Sequence, residues 1–310
     1  MSVKVFKTIG EQLEILVNKG LIINNYDKTK DILFRENYFF ISGYRHMFMN
    51  RGKDNKFITG TTFEELYAAF YFDRVLRNIM FKNILIIENN IKSVMSYTLS
   101  KKYGTREKDY LNPKNFIQDT LKARQVHDIL NKMRRQIRVN GKQHTATMHY
   151  LAHYGYIPLW ILVKVLSFGI IAELFSILKE EDQIEIADFY KIDCDSLIIY
   201  LSILSNFRNL CAHEDILYDH RTQKTIPDTR YHHVMEVPMS HDEYIYGKND
   251  LFAVLIILKQ MLTKGQFNDL VNEIGYEIDI LDGKVDTIPL ISILNRIGFP
   301  ENWRELENLK

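Results

Sequence analysis

Residues 63–103 constrain the fold of this chain more than any other stretch, because they carry neither glycine nor proline and hold a helical pattern throughout. The preceding tract, residues 50–62 with Gly52, Lys53, Asp54, Asn55 and Gly60, reads as a polar loop. Thr61 and Thr62 then offer an N-cap, Glu64 and Glu65 place acids where the helix dipole favours them, and Gly104 supplies a stop. Asp73, Arg77, Ile84, Glu88 and Lys92 recur at or near multiples of four, which lines them along this helix. A segment of this kind calls for helical partners, and six prolines in 310 residues leave room for them.

The rest of the chain agrees with an all-α fold. Ile9, Leu13, Leu16, Val17 and Leu21 outline an amphipathic first helix, residues 30–40 a second before a break at Ser42 and Gly43, and residues 251–262 an apolar helix for the core. Residues 220–246 mix Pro227, Pro238, the pair His232 and His233, and alternating Val234, Glu236 and Val237, which reads as a loop with a short hairpin. The expected organisation is an N-terminal helical region over residues 1–60, a helical core over 61–265 and a C-terminal helical tail over 266–310.

Composition narrows the function classes. A 46% hydrophobic content with 12% aromatic residues can fill a sizeable core. Forty basic against 39 acidic residues advertise no polyanionic partner globally, so any nucleic-acid surface must come from how charge is distributed. Residues 101–142 hold twelve basic residues against four acids, whereas residues 173–195 hold eight acids against two lysines and are expected to face away from RNA. Cys194 and Cys211 have neither metal-type spacing nor the partners of a disulfide framework, which favours a reducing cytoplasm. Residues 1–16 lack the apolar run of a secretory leader, and no apolar stretch is long enough to span a bilayer, so a cytoplasmic protein without membrane partners is expected. No Walker loop, dinucleotide turn or nucleophile elbow occurs. His149 and His153 have metal spacing, but Tyr150 stands where a zincin needs glutamate, and no metal or other cofactor is expected.

The chemistry concentrates in Arg208-Asn209-Leu210-Cys211-Ala212-His213, at the C-terminal end of an apolar helical run over residues 196–207. An imidazole can move the 2′-hydroxyl proton of RNA, and a guanidinium can hold the scissile phosphate as charge builds on it. On an ideal helix Arg208 and His213 stand about 140° and about 7.5 Å apart, so they do not share a face, whereas Asn209 and His213 do. For both to act on one phosphate, the arginine must wrap round or the helix must loosen before His213. The plainer alternative is an ion-pairing Arg208 and a histidine favoured by the helix dipole.

The hexapeptide resembles the Arg-x4-His signature of HEPN ribonucleases, and its surroundings resemble the Abi-like abortive-infection family of bacteria, of the AbiD and AbiF type. Further blocks similar to that family follow in order: residues 12–20 (QLEILVNKG), 40–44 (FISGY), 72–77 (FDRVLR) leading to Ile87-Glu88, 160–169 (WILVKVLSFG), 249–258 (NDLFAVLIIL) and 298–303 (GFPENW). The resemblance implies a HEPN-type bundle and a metal-independent endoribonuclease. His213 would move protons, Arg208 would hold the phosphate, and Asn209 would orient the pair or the substrate. It also implies a homodimer that joins two motifs, RNA as substrate, and a structured non-coding RNA as an associate. Many relatives carry an arginine three residues beyond the histidine, where this chain has Ile216; Arg221 or His220 would have to substitute.

Glu88, with Asp73 and Arg77 in support, would polarise or position His213, or else belong with Lys92 to a solvated salt-bridge stripe. Lys101, Lys102, Arg124, Arg134, Arg135, Arg138 and Arg221 are the expected RNA contacts, with Tyr103, Tyr110 and Phe116 as base-stacking candidates or core residues. The competing class is a non-catalytic RNA-binding or antitoxin-controlled module.

Overall fold

The glycine-free stretch forms one uninterrupted helix, Phe63–Tyr103, of 41 residues, which makes it about 60 Å long at the usual rise per residue. The protein is described by a computed structural model covering residues 5–50, 52 and 55–309; Lys53 and Asp54 of the polar tract, and the first four positions of the N-terminal stretch, lie outside the described residues. At its start Thr62 Oγ1 accepts from the Glu65 N–H at 3.2 Å while Glu65 Oε2 accepts from the Thr62 N–H at 2.9 Å, a reciprocal capping box. At its end Gly104 takes φ +97°, open to glycine at little cost.

Several helices pack directly on this rod. The Cys194–Ala212 helix lies against it and against Phe168–Ser176, and the Leu159–Leu162, Glu180–Tyr190 and Lys264–Asp282 helices pack on it as well. The Leu251–Met261 helix is buried almost all round, as its unbroken apolar sequence requires. A single hydrophobic core reaches from Leu13 near one end of the chain to Leu306 near the other.

The C-terminal segment is pinned at two points. Glu65 Oε1 accepts from the backbone N–H groups of Asp286 and Thr287 at 2.9 and 2.7 Å. Gly298, at φ +94°, presses on Asp250, whose Cγ would lie 2.3 Å from an added Cβ. Asp250 is in turn the N-cap of Leu251–Met261, accepting from Ala253 N–H at 3.0 Å.

The architecture is all-α, as the sequence predicts. The only sheet among the described residues is the short antiparallel pair Met239–Ser240 and Glu243–Tyr244, turned by His241 and Asp242 at positive φ, and it is the hairpin expected in residues 220–246. His232 and His233 instead belong to a short helix, Arg230–Val234. His232 is fully buried: its Nδ1 accepts from the Thr229 N–H at 3.0 Å, filling the place a capping glutamate usually takes, and its Nε2 lies 2.8 Å from the Gly247 carbonyl. Periodicity cannot reveal a five-residue helix held by its own histidine. Among the described residues no helix is long and apolar enough to cross a membrane.

Candidate functional site

The helix that carries the motif begins two residues earlier than its apolar run suggests. Asp193 caps it, accepting from the Ser196 N–H at 2.8 Å. It ends at Ala212 with His213 as C-cap. Glu214 follows at φ +57°, and the N–H groups of Glu214 and Asp215 return to the carbonyls of Cys211 and Leu210 at 3.4 and 3.2 Å, a Schellman closure made without glycine. The chain therefore turns away sharply just after His213 and leaves that imidazole exposed at the rim. Its backbone N–H still bonds to the Asn209 carbonyl at 3.0 Å, so Asn209 and His213 keep the shared face expected of them. One turn earlier on that face, Asn206 Oδ1 lies 2.6 Å from His220 Nε2, and the His220 ring meets Phe207 edge-on. Burial holds His220 below the usual imidazole range, with Arg221 adding to the effect.

Arg208 reaches the site from the flank. Its Nε donates to Glu88 Oε2 at 3.3 Å, its guanidinium lies 5.6 Å from the centre of the Phe81 ring, and Nη1 is 3.5 Å from Asn209 Oδ1. The arginine is thus steered toward Asn209, which stands on the histidine's face. Glu88 does not contact His213 as one reading expected; its partners are Arg208 and Lys92, the latter at 2.7 Å. Nor is it part of a solvated stripe, since Asp73, Arg77, Glu88 and Lys92 are all buried. The helix is enclosed on the side where these charges lie, so they are paired within the protein. Burial pushes the Cys211 thiol up to about 12, which removes it as a nucleophile at neutral pH.

Asp73 and Arg77 form a different device. Asp73 Oδ2 accepts from the Tyr44 hydroxyl at 2.6 Å and from the Leu217 N–H at 3.1 Å, and it is ion-paired with Arg77 Nη1. The same Nη1 reaches the Asp215 carbonyl at 3.2 Å. Burial pushes the Asp73 carboxyl up, against the pull of Arg77 and these donors. Together they clamp the backbone just beyond His213; they do not face the imidazole. Gly43 completes the clamp, because a Cβ there would stand 2.6 Å from Ile216 Cδ1. Ile216 therefore packs into a glycine nook at the position where many relatives carry arginine. Of the two proposed substitutes, His220 is engaged with Asn206, and Arg221 is exposed and donates Nη1 to the His220 carbonyl at 2.9 Å and Nη2 to the Arg296 carbonyl at 2.7 Å. Sequence reasoning missed Tyr44, Phe81, Arg74 and Asn206. Tyr44 and Arg74 lie inside the blocks FISGY and FDRVLR, where Arg74 holds Glu36 through two bonds of 2.9 and 2.6 Å and approaches Glu214 at 3.7 Å.

The basic region is only partly free. The acidic segment expected to face away from RNA pairs with part of it: Lys102 bonds to Glu181 and Asp182 at 2.7 and 2.5 Å, Lys101 approaches Glu185 at 4.0 Å, and Lys132 pairs with Glu173 at 2.6 Å. Arg124 has Asp128 at 4.0 Å, and Arg134 reaches the Leu111 carbonyl at 3.4 Å. Arg135 and Arg138, on the Ala123–Asn140 helix, are exposed and pair with no carboxylate among the described residues. Tyr110 and Phe116 are core residues, so the stacking reading does not hold for them, and the hydroxyl of the half-buried Tyr103 is tied to Asp182 at 2.6 Å. His149 and His153 are an exposed pair with ring centres 4.3 Å apart.

An all-α bundle in which a clamped turn presents arginine, asparagine and histidine at a helix end defines the class of this protein. A family profile described as Abi-like protein matches residues 31–219, and the chain belongs to that family. The match includes the blocks at residues 40–44, 72–77 and 160–169 and ends just beyond the clamped turn, while those at 12–20, 249–258 and 298–303 fall outside it. No curated protein and no solved structure matches the chain.

Proposed function

We propose that this protein is an abortive-infection effector that cleaves RNA by the metal-independent chemistry of HEPN ribonucleases. The observation that carries this reading is the convergence at the end of the Cys194–Ala212 helix, where buried Glu88 fixes Arg208 beside Asn209 and the turn beyond presents an exposed His213. His213 takes the proton of a 2′-hydroxyl, the oxygen attacks phosphorus, and the bond from phosphorus to the 5′ oxygen breaks as that oxygen takes up a proton from a second acid. Arg208 bears the charge that gathers on the non-bridging oxygens. The products are a 2′,3′-cyclic phosphate and a 5′-hydroxyl.

A second copy supplies the second acid in this proposal, its own His213 related by a two-fold axis. Exposed Phe39 and Phe40 support a self-association surface here. They lie between Glu36, held by Arg74 beside Glu214, and Gly43, which packs on Ile216. Arg135 and Arg138, exposed and without a carboxylate partner among the described residues, are candidates to hold the RNA backbone, and a structured non-coding RNA is a candidate associate.

Purified protein should cleave RNA in EDTA and leave cyclic phosphate ends. His213→Ala should lower the rate by about 10² to 10⁴, the usual worth of a positioned acid or base. Full activity in that variant, or 3′-hydroxyl ends, sinks the proposal. Mixing wild type with an Arg208→Ala/His213→Ala double variant should reduce activity below the wild-type fraction; strict proportionality would assign a complete site to one chain. Ile216 in place of arginine favours the second reading, a non-catalytic RNA-binding module, which predicts tight RNA binding with no cleavage.

A further inference from the structure

A cavity of about 680 Å³ lies at the other end of the motif helix, walled by residues from five separate stretches of chain. That size falls within the range of roughly 300 to 1,000 Å³ typical of small-molecule sites. The motif helix has 19 residues, so the cavity near its start and His213 at its end are separated by roughly 28 Å of helix.

Its charge is one-sided. Lys191, Arg230, Lys259 and Lys264 line it against a single carboxylate residue, Glu307. Lys259 donates to the main-chain carbonyl of Glu307 at 2.9 Å and lies 4.9 Å from the centre of the Phe267 ring, and Arg230 folds over the Tyr231 ring at 5.0 Å. None of the four cations forms an ion pair among the described residues. Burial lowers the Lys259 pKa, and the neighbouring charges of Lys264 and Arg230 lower it further against Glu307.

Tyr190, 8% exposed, forms part of the wall. Several unneutralised cations around one cavity are the complement of a multiply charged oxyanion.

We propose that this cavity binds a phosphate-bearing small molecule of nucleotide size, its phosphates held by Lys191, Arg230, Lys259 and Lys264. The site is independent of the RNA chemistry at His213 and stands or falls separately from it.

Equilibrium binding and thermal shift on the full chain test this with ADP, inorganic pyrophosphate and adenosine. ADP or pyrophosphate should bind and raise Tm, and adenosine, which lacks phosphate, should do neither. The ratio of ADP to pyrophosphate affinity measures how much the organic part adds. Exposed Arg230→Ala and half-buried Lys259→Met should each weaken binding about tenfold, as loss of a charge-assisted contact does. Arg230→Ala removes no core packing, so it remains informative if Lys259→Met fails to fold. Absence of binding by both ADP and pyrophosphate at millimolar concentration, or equal binding by wild type and Arg230→Ala, overturns the proposal. So does binding of single-stranded RNA that Arg230→Ala abolishes while neither small probe binds, since the cavity would then be part of an RNA track.

Discussion

The Phe63–Tyr103 helix carries two charge pairs of the same spacing, Asp73 with Arg77 and Glu88 with Lys92, and the protein uses them in opposite ways. The first is closed. Tyr44, the Asp215 carbonyl and the Leu217 N–H surround it, and both side chains are almost wholly excluded from water. The second is open at one end, because Glu88 also holds Arg208, whose side chain is 29% exposed. One pair fixes the path of the chain; the other aims a guanidinium at solvent. Spacing along a helix cannot separate these roles, because what packs on the pair decides whether it is a clamp or a lever.

Truncating the two arginines tests the contrast most strongly. Arg77→Met leaves Asp73 buried without its cation, a change worth about 3–5 kcal/mol, and should show as a large drop in the urea midpoint with the turn beyond His213 released. Arg208→Met removes a half-exposed group. It should change stability by about 1 kcal/mol or less yet reduce RNA cleavage about 10² to 10³, as loss of a transition-state contact does. Reversed outcomes, with Arg77→Met stable and Arg208→Met unfolded, would break the comparison.

Asp250 sharpens it with a buried carboxylate that rests on backbone N–H groups and has no salt-bridge partner among the described residues. Burial pushes its pKa up to about 6 from an ordinary 3.8. The folded state therefore holds this proton where the unfolded state releases it. The group's contribution is most favourable below about pH 4 and declines as pH rises through about 6, a loss of about 3 kcal/mol for a rise of about two units. Asp250→Asn keeps the N-cap acceptor and should flatten this slope, so that the variant gains on wild type between pH 4.5 and 7 in urea titrations. An unchanged slope would show that the N–H groups of Gly247 and Ala253 already compensate the charge.

Local signals were legible and remote ones were not. Thr62, Glu65 and Gly104 mark the ends of the long helix because capping is written within a few residues, and the observed bounds, Phe63–Tyr103, are those expected. The hairpin at 239–244 and the core helix Leu251–Met261 were legible for the same reason. Burial of Glu88 was not, because it depends on Arg208, 120 positions away. The docking of Asp182 on Lys102 was hidden likewise: both charge blocks are plain in the sequence, but their contact spans 80 positions. At the candidate site, the shared face of Asn209 and His213 at the end of an apolar helix could be read from spacing. The Schellman turn at Glu214 could not, since the usual glycine is absent there and tertiary contacts from Asp73 and Arg77 hold the next residues.

The smallest expected effect belongs to Glu88→Gln, and it decides what the open pair is for. Glutamine matches the glutamate in shape and can still accept one bond, but it cannot balance both Lys92 and Arg208 by charge. If Glu88 aims Arg208, the variant should lose about tenfold in cleavage rate, about 1.4 kcal/mol in the barrier, with RNA affinity nearly unchanged. Its stability should fall by about 1–2 kcal/mol, because Lys92 stays buried with a weaker partner. If Glu88 serves only as the counter-ion of Lys92, stability falls by the same amount while the rate measured on the folded fraction stays at the wild-type value. Lys92→Met separates the two further. It removes the competing cation, leaves Glu88 to Arg208 alone, and should preserve cleavage, so a loss of activity there equal to that of Glu88→Gln would show that the whole pair is structural.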